Sequence, residues 1–321
     1  MPRWSLLIHT RLIFASLIFL LSSQVTAAQK EIASTSNKDT IIIGVISSNP
    51  TKVFKRTQAF ADYVASQLEH RGITSSRIAI AKDIDQMARW LKNGQVDIVS
   101  ETTFAAHQLN QSANAKFLAR RWKSGEAEYS TVFFTSNESG ITHFDDLVGK
   151  VIAFEDRGST SAFLIPASIL LKRGYELYEV TSPRETPPKN KIGYFFSDEF
   201  SSAGGEANMM SWVYGNFVAS AAFSNLDWQK EVPSQVKNKL NIYYQSQAIP
   251  RAITLVRADL PQELQTDIKE ILLSAHQDKQ GKRALDKYKD TKKFDSISPS
   301  IIQSIEWAGE LKELIDSHLT H

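Results

Sequence analysis

The chain has 321 residues, 42% of them hydrophobic and 22% charged, with 37 basic against 35 acidic side chains and a formal charge of +2. So balanced a charge lacks the basic excess of nucleic-acid or membrane-surface binders, and the length suits about two domains with a substantial core. There is no cysteine, which excludes disulfides, a thiol nucleophile and a lipidated cysteine anchor.

Arg3 and Arg11 give the N-terminus a positive start, Leu12 to Leu21 is apolar, and Val25-Thr26-Ala27 is a small-residue cleavage site. This is the secretory pattern, with cleavage expected after Ala27. The apolar run is short for an uncleaved membrane anchor. Removing 1–27 takes two arginines and no acid, so the mature chain is neutral (2 − 2 = 0). The expected localisation is the periplasm of a Gram-negative cell, reached through a cleaved signal peptide.

Residues 28–39 are small and polar and read as a loose leader. Ile41 to Ile46 is a continuous β-branched run, a buried strand. Ser47-Ser48-Asn49-Pro50 turns the chain. Phe54 to Leu68 follows with helical spacing through Phe60, Val64 and Leu68. Ile78–Ala81 predicts a strand, Asp83–Leu91 a helix closed by Asn93-Gly94, Val96–Val99 a strand, and Ser100–Thr103 leads into another helix. This alternation is the signature of a parallel sheet covered on both faces.

The pattern then restarts. Tyr129–Thr135, Val151–Phe154, Ile192–Phe196 and Val218–Phe223 predict strands, with a weak one at Val180. Phe144–Val148, Phe163–Arg173 and Ala207–Tyr214 predict helices, while Ser182–Asn190 with its three prolines is a loop. Ala252–Val256 gives a late strand. Helices follow at Gln262–Ala275, Lys282–Tyr288 and Ile301–His318. That tail is too small for a third domain and is expected back on the first unit. The expected division is 40–130 plus 250–321 for the first lobe and 131–249 for the second. The chain crosses twice between them, making a hinge and a cleft.

In open α/β sheets ligands bind beyond the carboxyl ends of strands. Five loops qualify: Ser47–Lys52, Ser100–Thr103, Glu155–Ser161, Ser197–Glu206 and Ser224–Trp228. In the third, Ser159, Thr160 and Ser161 open a helix, where free N–H groups and hydroxyls can converge on one anion. Plain helix capping explains the same residues. Pro166, inside that helix, requires its first turn to be bent or separate from the rest. Ser48, Thr102, Thr103 and Asn225 are further ligand candidates, with capping as the alternative. Glu101 and Glu206 line the expected cleft, either holding a ligand ammonium or pairing with Lys and Arg.

Gly149–Asp156, Gly158-Ser159-Thr160-Ser161 and Leu164-Ile165-Pro166 together resemble the phosphate/phosphite/phosphonate substrate-binding proteins of ABC transporters. Asp145–Lys150, Gly94–Ile98 and Ile249-Pro250 through Asp259-Leu260 extend the resemblance over roughly residues 40–295. At Ala162, Gly204-Gly205-Glu206 and Val218 the chain departs from that family's usual residues. The resemblance implies a two-lobed α/β periplasmic-binding-protein fold of type II-like form, with Ser159, Thr160 and Ser161 on the anionic head group.

The expected function is capture of a small oxyanion, phosphate-like or phosphonate-like, by a monomer that hands it to an inner-membrane ABC permease. A sensing role beside a membrane histidine kinase or chemoreceptor is the alternative. No enzyme activity, cofactor, metal or nucleic acid is expected. Gly-x-Ser-x-Gly, His-Glu-x-x-His and glycine-rich phosphate loops are absent, and the mature histidines have no metal-ligand spacing.

Overall fold

The computed structural model describes residues 39–47, 49–200 and 205–319. The expected signal peptide, and all of the expected leader except Asp39, lie outside the described residues. Within them, no helix is long and apolar enough to cross a membrane.

The first sheet is built from β1 (Thr40–Ile46), β2 (Ser75–Ala81), β3 (Ile98–Glu101), β4 (Lys116–Arg121), β13 (Ile253–Val256) and β14 (Phe294–Asp295), in the order β14-β4-β13-β3-β1-β2. Helices α1 (Pro50–Gln67), α2 (Ile84–Lys92) and α3 (Thr103–Ala113) make the crossovers between its parallel strands. Each face of this sheet carries its own apolar cluster. Phe60, Val64 and Leu68 of α1 and the residue after it cover one face, and Met87 and Leu91 of α2 cover the other. An uninterrupted run such as Ile41 to Ile46 suits a strand that has apolar neighbours on both sides.

The second sheet contains β6 (Thr131–Ser136), β7 (Val151–Phe154), β8 (Glu176–Glu179), β9 (Lys191–Phe196), β10 (Ser220–Ser224) and β11 (Leu240–Gln245), in the order β11-β6-β10-β7-β9-β8. Its helices are α4 (Ile165–Lys172), α5 (Gly205–Tyr214), α6 (Asn225–Glu231) and the short α7 (Ser234–Lys237). The two sheets are joined by two short antiparallel segments, β5 (Glu128–Tyr129) and β12 (Ile249–Pro250), paired to each other. This is the two-lobed α/β architecture with two crossings.

Two sequence expectations are corrected here. The run Tyr129–Thr135 is not one strand. Ser130 breaks it, because its N–H turns aside to the Asn225 side-chain oxygen at 2.9 Å instead of joining a ladder. The weak strand lies at Glu176–Glu179, with Val180 just past its end. Strands β4, β11 and β14 had no clear signal. Lys116–Arg121 is half basic, and β11 alternates poorly between apolar and polar residues.

The tail adds α8 (Gln262–Ser274), α9 (Lys279–Lys287) and α10 (Pro299–Leu319). The first two pack on the first sheet, as Ile268, Leu272, Ala284 and Leu285 show. The last does not belong to one lobe. At 21 residues it runs about 30 Å, and its two halves reach different cores. Ile301 and Ile305 join the first-lobe cluster, whereas Ala308, Leu311 and Ile315 join the aromatic cluster of the second. Ser168 in α4 donates to the Leu311 carbonyl at 3.1 Å. Gly309 is the point of closest approach to α3. A Cβ there would sit 2.3 Å from the His107 ring and would force that ring to move.

Candidate functional site

The topology brings the carboxyl edges of both sheets to the β5–β12 link. Ile253, which opens β13 three residues after Pro250, lies between Glu101 at the end of β3 and Arg120 near the end of β4. Ser224, closing β10, lies beside Thr131, which opens β6 two residues after Tyr129. Residues at either edge therefore face the same crossing.

The first lobe brings a group of cations to this edge. Arg121 is buried at the end of β4. Its Nε donates to Thr291 Oγ1 at 2.8 Å and its Nη2 to the Tyr288 carbonyl at 2.5 Å. Its guanidinium lies 3.5 Å from the centroid of the Tyr288 ring, whose other neighbour is Phe60, stacked at 4.2 Å. Burial pulls this guanidinium down, and it remains charged at any physiological pH. Lys123 and Lys289 are held together by backbone. Ser124 donates its N–H to the Lys289 carbonyl at 3.0 Å. Ser124, Lys289 and Asp290 all have left-handed φ (58°, 51° and 47°), which costs a non-glycine residue about 1–2 kcal/mol. Strain stored in these turns sets two lysines beside one another.

Like charges in partly dry surroundings disfavour protonation. Lys123 is brought down to about 7 by burial, then by Lys289, Arg251 and Arg121. Lys289 is lowered by burial and by Arg56 of α1. Glu101 is the carboxylate among them. Burial pushes it up, against Lys123, the Ile46 N–H at 3.3 Å, Arg121 and Lys289.

The hinge supplies the next group. Arg251 follows β12, and its N–H donates to the Ala127 carbonyl at 2.8 Å. Its guanidinium lies 4.6 Å from the centroid of the buried Tyr129 ring. Its Nε is buried with no hydrogen-bond partner among the described residues. Such an orphan donor costs about 1–3 kcal/mol, more when charged, unless a ligand or water meets it.

The second lobe contributes hydroxyls and carboxylates. The expected helix after β7 opens as a π turn, Thr160–Leu164, that runs directly into α4. Ile165 N–H bonds back to the Thr160 carbonyl and Pro166 has no N–H to give. The Ser161 carbonyl instead accepts from Thr131 Oγ1 at 2.8 Å. The first turn is thus neither bent away nor detached: it is widened into π register and continues into α4, and that register leaves Pro166 without a donor to miss.

The candidates do not share one fate. Ser159 caps the turn. Its Oγ accepts from Ala162 N–H at 3.3 Å and donates to Glu155 at 2.7 Å, so its proton is committed. Thr160 is 5% exposed; its Oγ1 closes no well-formed hydrogen bond among the described residues, and its polar neighbour is the Tyr129 hydroxyl, which also faces Arg251. Ser161 is half-buried beside it. Thr103 Oγ1 donates to the hinge carbonyl of Pro250 at 2.7 Å, which makes it a hinge pin. Thr102 precedes α3, half-buried and without a side-chain capping bond. Asn225 Oδ1 is taken by Ser130. Ser48 lies outside the described residues. Glu206 stands next to Glu155, whose carboxyl is pushed up to about 7 by burial and by the Glu206 charge, with the Ser159 bond opposing.

Arg121, Lys123, Arg251 and Lys289 escaped the sequence reading, which looked for hydroxyls at helix starts. Their signal was positional. Arg121 closes β4 and Arg251 follows the short β12, both at the cleft edge, and Lys289 follows an aromatic at a helix end that lacks its usual glycine. The described residues contain no group of three or more His, Cys, Asp or Glu placed to hold a metal.

Residues 43–301 match the family model described as ABC transporter, phosphonate, periplasmic substrate-binding protein. Among solved structures, the chain is 28% identical to XAC2383 from Xanthomonas citri bound to ATP, at a TM-score of 0.78 over 88% of this chain and 100% of that one. PhnD1 from Prochlorococcus marinus in complex with methylphosphonate matches at 16% identity and TM-score 0.59, over 87% of this chain and 100% of that one. A binding protein component of an ABC phosphonate transporter from Pseudomonas aeruginosa matches at 17% and 0.57, over 89% and 90%. The last two likenesses concern the fold.

Proposed function

Since this chain belongs to the phosphonate periplasmic substrate-binding protein family of ABC transporters, we propose that it captures a phosphorus oxyanion at the hinge and presents it to an inner-membrane permease. The family places such proteins in the periplasm and gives them a small ligand and a permease partner. The observation that supports the ligand class is the group of Arg251, Thr160 and the Tyr129 hydroxyl they both face, in which Arg251 Nε and Thr160 Oγ1 close no well-formed hydrogen bond, beside the strained lysine pair. A tetrahedral oxyanion accepts from several directions at once. It would satisfy both orphans and the Lys123 and Lys289 ammoniums.

Lobe closure orders these contacts. The first lobe and hinge hold the fixed charges, so the anion lands there first. Closure then brings Thr160 and Ser161 to its remaining oxygens. The similarity to XAC2383 with ATP widens the class from phosphonates to phosphate esters.

A thermal-shift panel on the mature protein tests this reading, using phosphate, phosphite, methylphosphonate, 2-aminoethylphosphonate, ATP and sulfate. A ligand specific to the folded state at a hundred times its Kd adds about 2.7 kcal/mol of stability. A rise with at least one phosphorus compound, lost in Arg251→Met, is expected. No rise with any of them refutes the assignment.

A further inference from the structure

A cavity of about 250 Å³ lies where α4, the end of β11 and α10 meet. None of the residues lining it belongs to the group around Arg251, Thr160 and Tyr129.

Its walls are fixed by the fold. Ile169 in α4 and Leu311 in α10 are buried and apolar, and Tyr244 of β11 and Trp307 of α10 are half-buried rings. Ser168 donates to the Leu311 carbonyl at 3.1 Å, which ties the two helical walls together. On the strand side, Thr131 N–H donates to Ser246 Oγ at 2.9 Å, and Ser246 N–H returns to the Thr131 carbonyl at 2.9 Å. Each wall is bonded to a neighbour, so the space is held open before any ligand arrives.

Two cations stand at its rim. Lys172 closes α4 and Arg173 follows it, both exposed. A cation at a helix C-terminus meets the dipole, and that alone would let Arg173 extend into water. It does not extend. Its guanidinium carbon lies 4.8 Å from the centroid of the Tyr244 ring and 5.0 Å from that of Phe144. Those two rings are themselves 4.9 Å apart, so the guanidinium is positioned by a ring cluster. Its one hydrogen bond among the described residues, from Nη1 to the Ile169 carbonyl, is long at 3.4 Å. Neither Lys172 nor Arg173 has a carboxylate partner among the described residues, and no carboxylate lines the cavity.

This chemistry suits an organic anion. A guanidinium held against rings keeps most of its N–H fork free, and that fork matches a carboxylate with two parallel bonds. Lys172 adds a second charge. Beside the cations, Ile169, Leu311, Tyr244 and Trp307 offer apolar and aromatic cover that an inorganic anion cannot use. Ligand pockets run upward from about 300 Å³, so the size here limits the guest to one or two rings.

We propose that this cavity is a second ligand site, taking a small aromatic carboxylate whose carboxyl group meets Arg173 and Lys172 and whose ring packs among Ile169, Trp307 and Leu311. The site stands independently of what the cleft binds.

Titration calorimetry on the mature protein tests this with phenylacetate, indole-3-acetate and their neutral amides, using the natural sequence, Arg173→Gln and Lys172→Gln. Expected is millimolar or tighter binding of at least one acid, about tenfold tighter than its amide. Arg173→Gln should weaken that acid about tenfold and bring it level with the amide, and Lys172→Gln should weaken it about threefold. An unchanged melting temperature in each unliganded variant shows that its fold is intact. Saturating methylphosphonate should leave the affinity for the acid within about twofold, as two separate sites require. Equal binding of acid and amide, or an acid affinity unchanged in both variants, overturns the proposal. Displacement of the acid by methylphosphonate puts it in the cleft and overturns the proposal as well. Failure of both acids to bind removes the second site and leaves the receptor reading standing.

Discussion

The two edges that meet at the hinge are made of different chemistry. The first lobe and the hinge contribute cations: Arg121 wedged against Tyr288, Lys123 and Lys289 fixed by left-handed turns, and Arg251 over Tyr129. The second lobe contributes hydroxyls and a carboxyl pair: Thr160 and Ser161, with Ser159 tied to Glu155 and Glu206 beyond it. In the proposed site, attraction and selection would thereby be separated. Fixed charge acts over a Debye length of about 8 Å and draws in any anion. A neutral donor rewards only an acceptor at hydrogen-bonding distance, after closure. In that site the Glu155–Glu206 pair, once ionised, would repel an anion that sits too deep in the second lobe.

Breaking the charged side should have the largest effect. Arg251→Met removes a charged donor that has no protein partner for its Nε. A charge-assisted bond is worth about 1.5–3 kcal/mol, so anion affinity should fall at least tenfold. Apo stability should hold, because an unmet Nε–H is removed while the methionine keeps contact with the Tyr129 ring. Calorimetry and thermal melts on the same variant read both. An unchanged affinity would mean that Arg251 merely packs on Tyr129.

The next effect is on pH. Lys123 is brought down to about 7 in the unliganded protein, and a bound anion favours its protonated form. Binding therefore takes up a proton above that pH, and affinity should fall about tenfold between pH 7 and pH 9. Lys123→Arg, charged throughout, should abolish the fall. Folding runs the other way. Between about 7 and the ordinary lysine value near 10.4, the unfolded chain holds more protons, so this residue's contribution to apo stability increases with pH. Melting temperatures of the natural protein relative to Lys123→Arg should rise across that window. Parallel pH profiles for the two proteins would remove Lys123 from the site.

A smaller effect sharpens the neutral side. Thr160→Val replaces a buried hydroxyl, which faces Tyr129 without closing a well-formed bond, with a methyl of the same shape. The unliganded protein should gain about 1 kcal/mol, since an unmet polar group is gone. Affinity for a phosphorus oxyanion should drop about fivefold. Opposite signs in melting and binding are the signature. A loss of stability would show that the hydroxyl serves the fold.

Much of this fold was legible in the sequence. Continuous β-branched runs such as Ile41–Ile46 and the α1 stripe through Phe60 and Val64 are local patterns, and local patterns survive reading one residue after another. The split at Ser130 was not legible, because it depends on Asn225, far along the chain. Nor was the sharing of α10, since Ile301 and Leu311 look alike until two cores exist for them to enter. The site divided along the same line. Ser159–Ser161 could be picked out because hydroxyls at a helix start are a local signal. Arg121, Lys123, Arg251 and Lys289 come from three distant segments and become a group only when β4, β12 and the end of α9 are brought together.

Ser159 is where the comparison of the two edges is tested most finely, because its hydroxyl resembles that of Thr160 in sequence and differs from it in bonding. Ser159 Oγ is both the cap for Ala162 N–H and the donor to Glu155. Ser159→Ala should cost about 1 kcal/mol of stability through the lost cap, a few degrees in melting temperature. It also withdraws the bond that opposes the rise of the Glu155 carboxyl, so that group should titrate higher still. Folded-state protonation above the unfolded value contributes stability at pH values below the ordinary carboxylate range and loses it as pH rises through the folded value. The deficit of Ser159→Ala should therefore be smaller near pH 5 than near pH 8. Anion affinity should stay within twofold, because the hydroxyl has no proton left to give. A large loss of affinity would show that ligand displaces Glu155 from Ser159 on closure, and would move this residue from the frame of the site into the site itself.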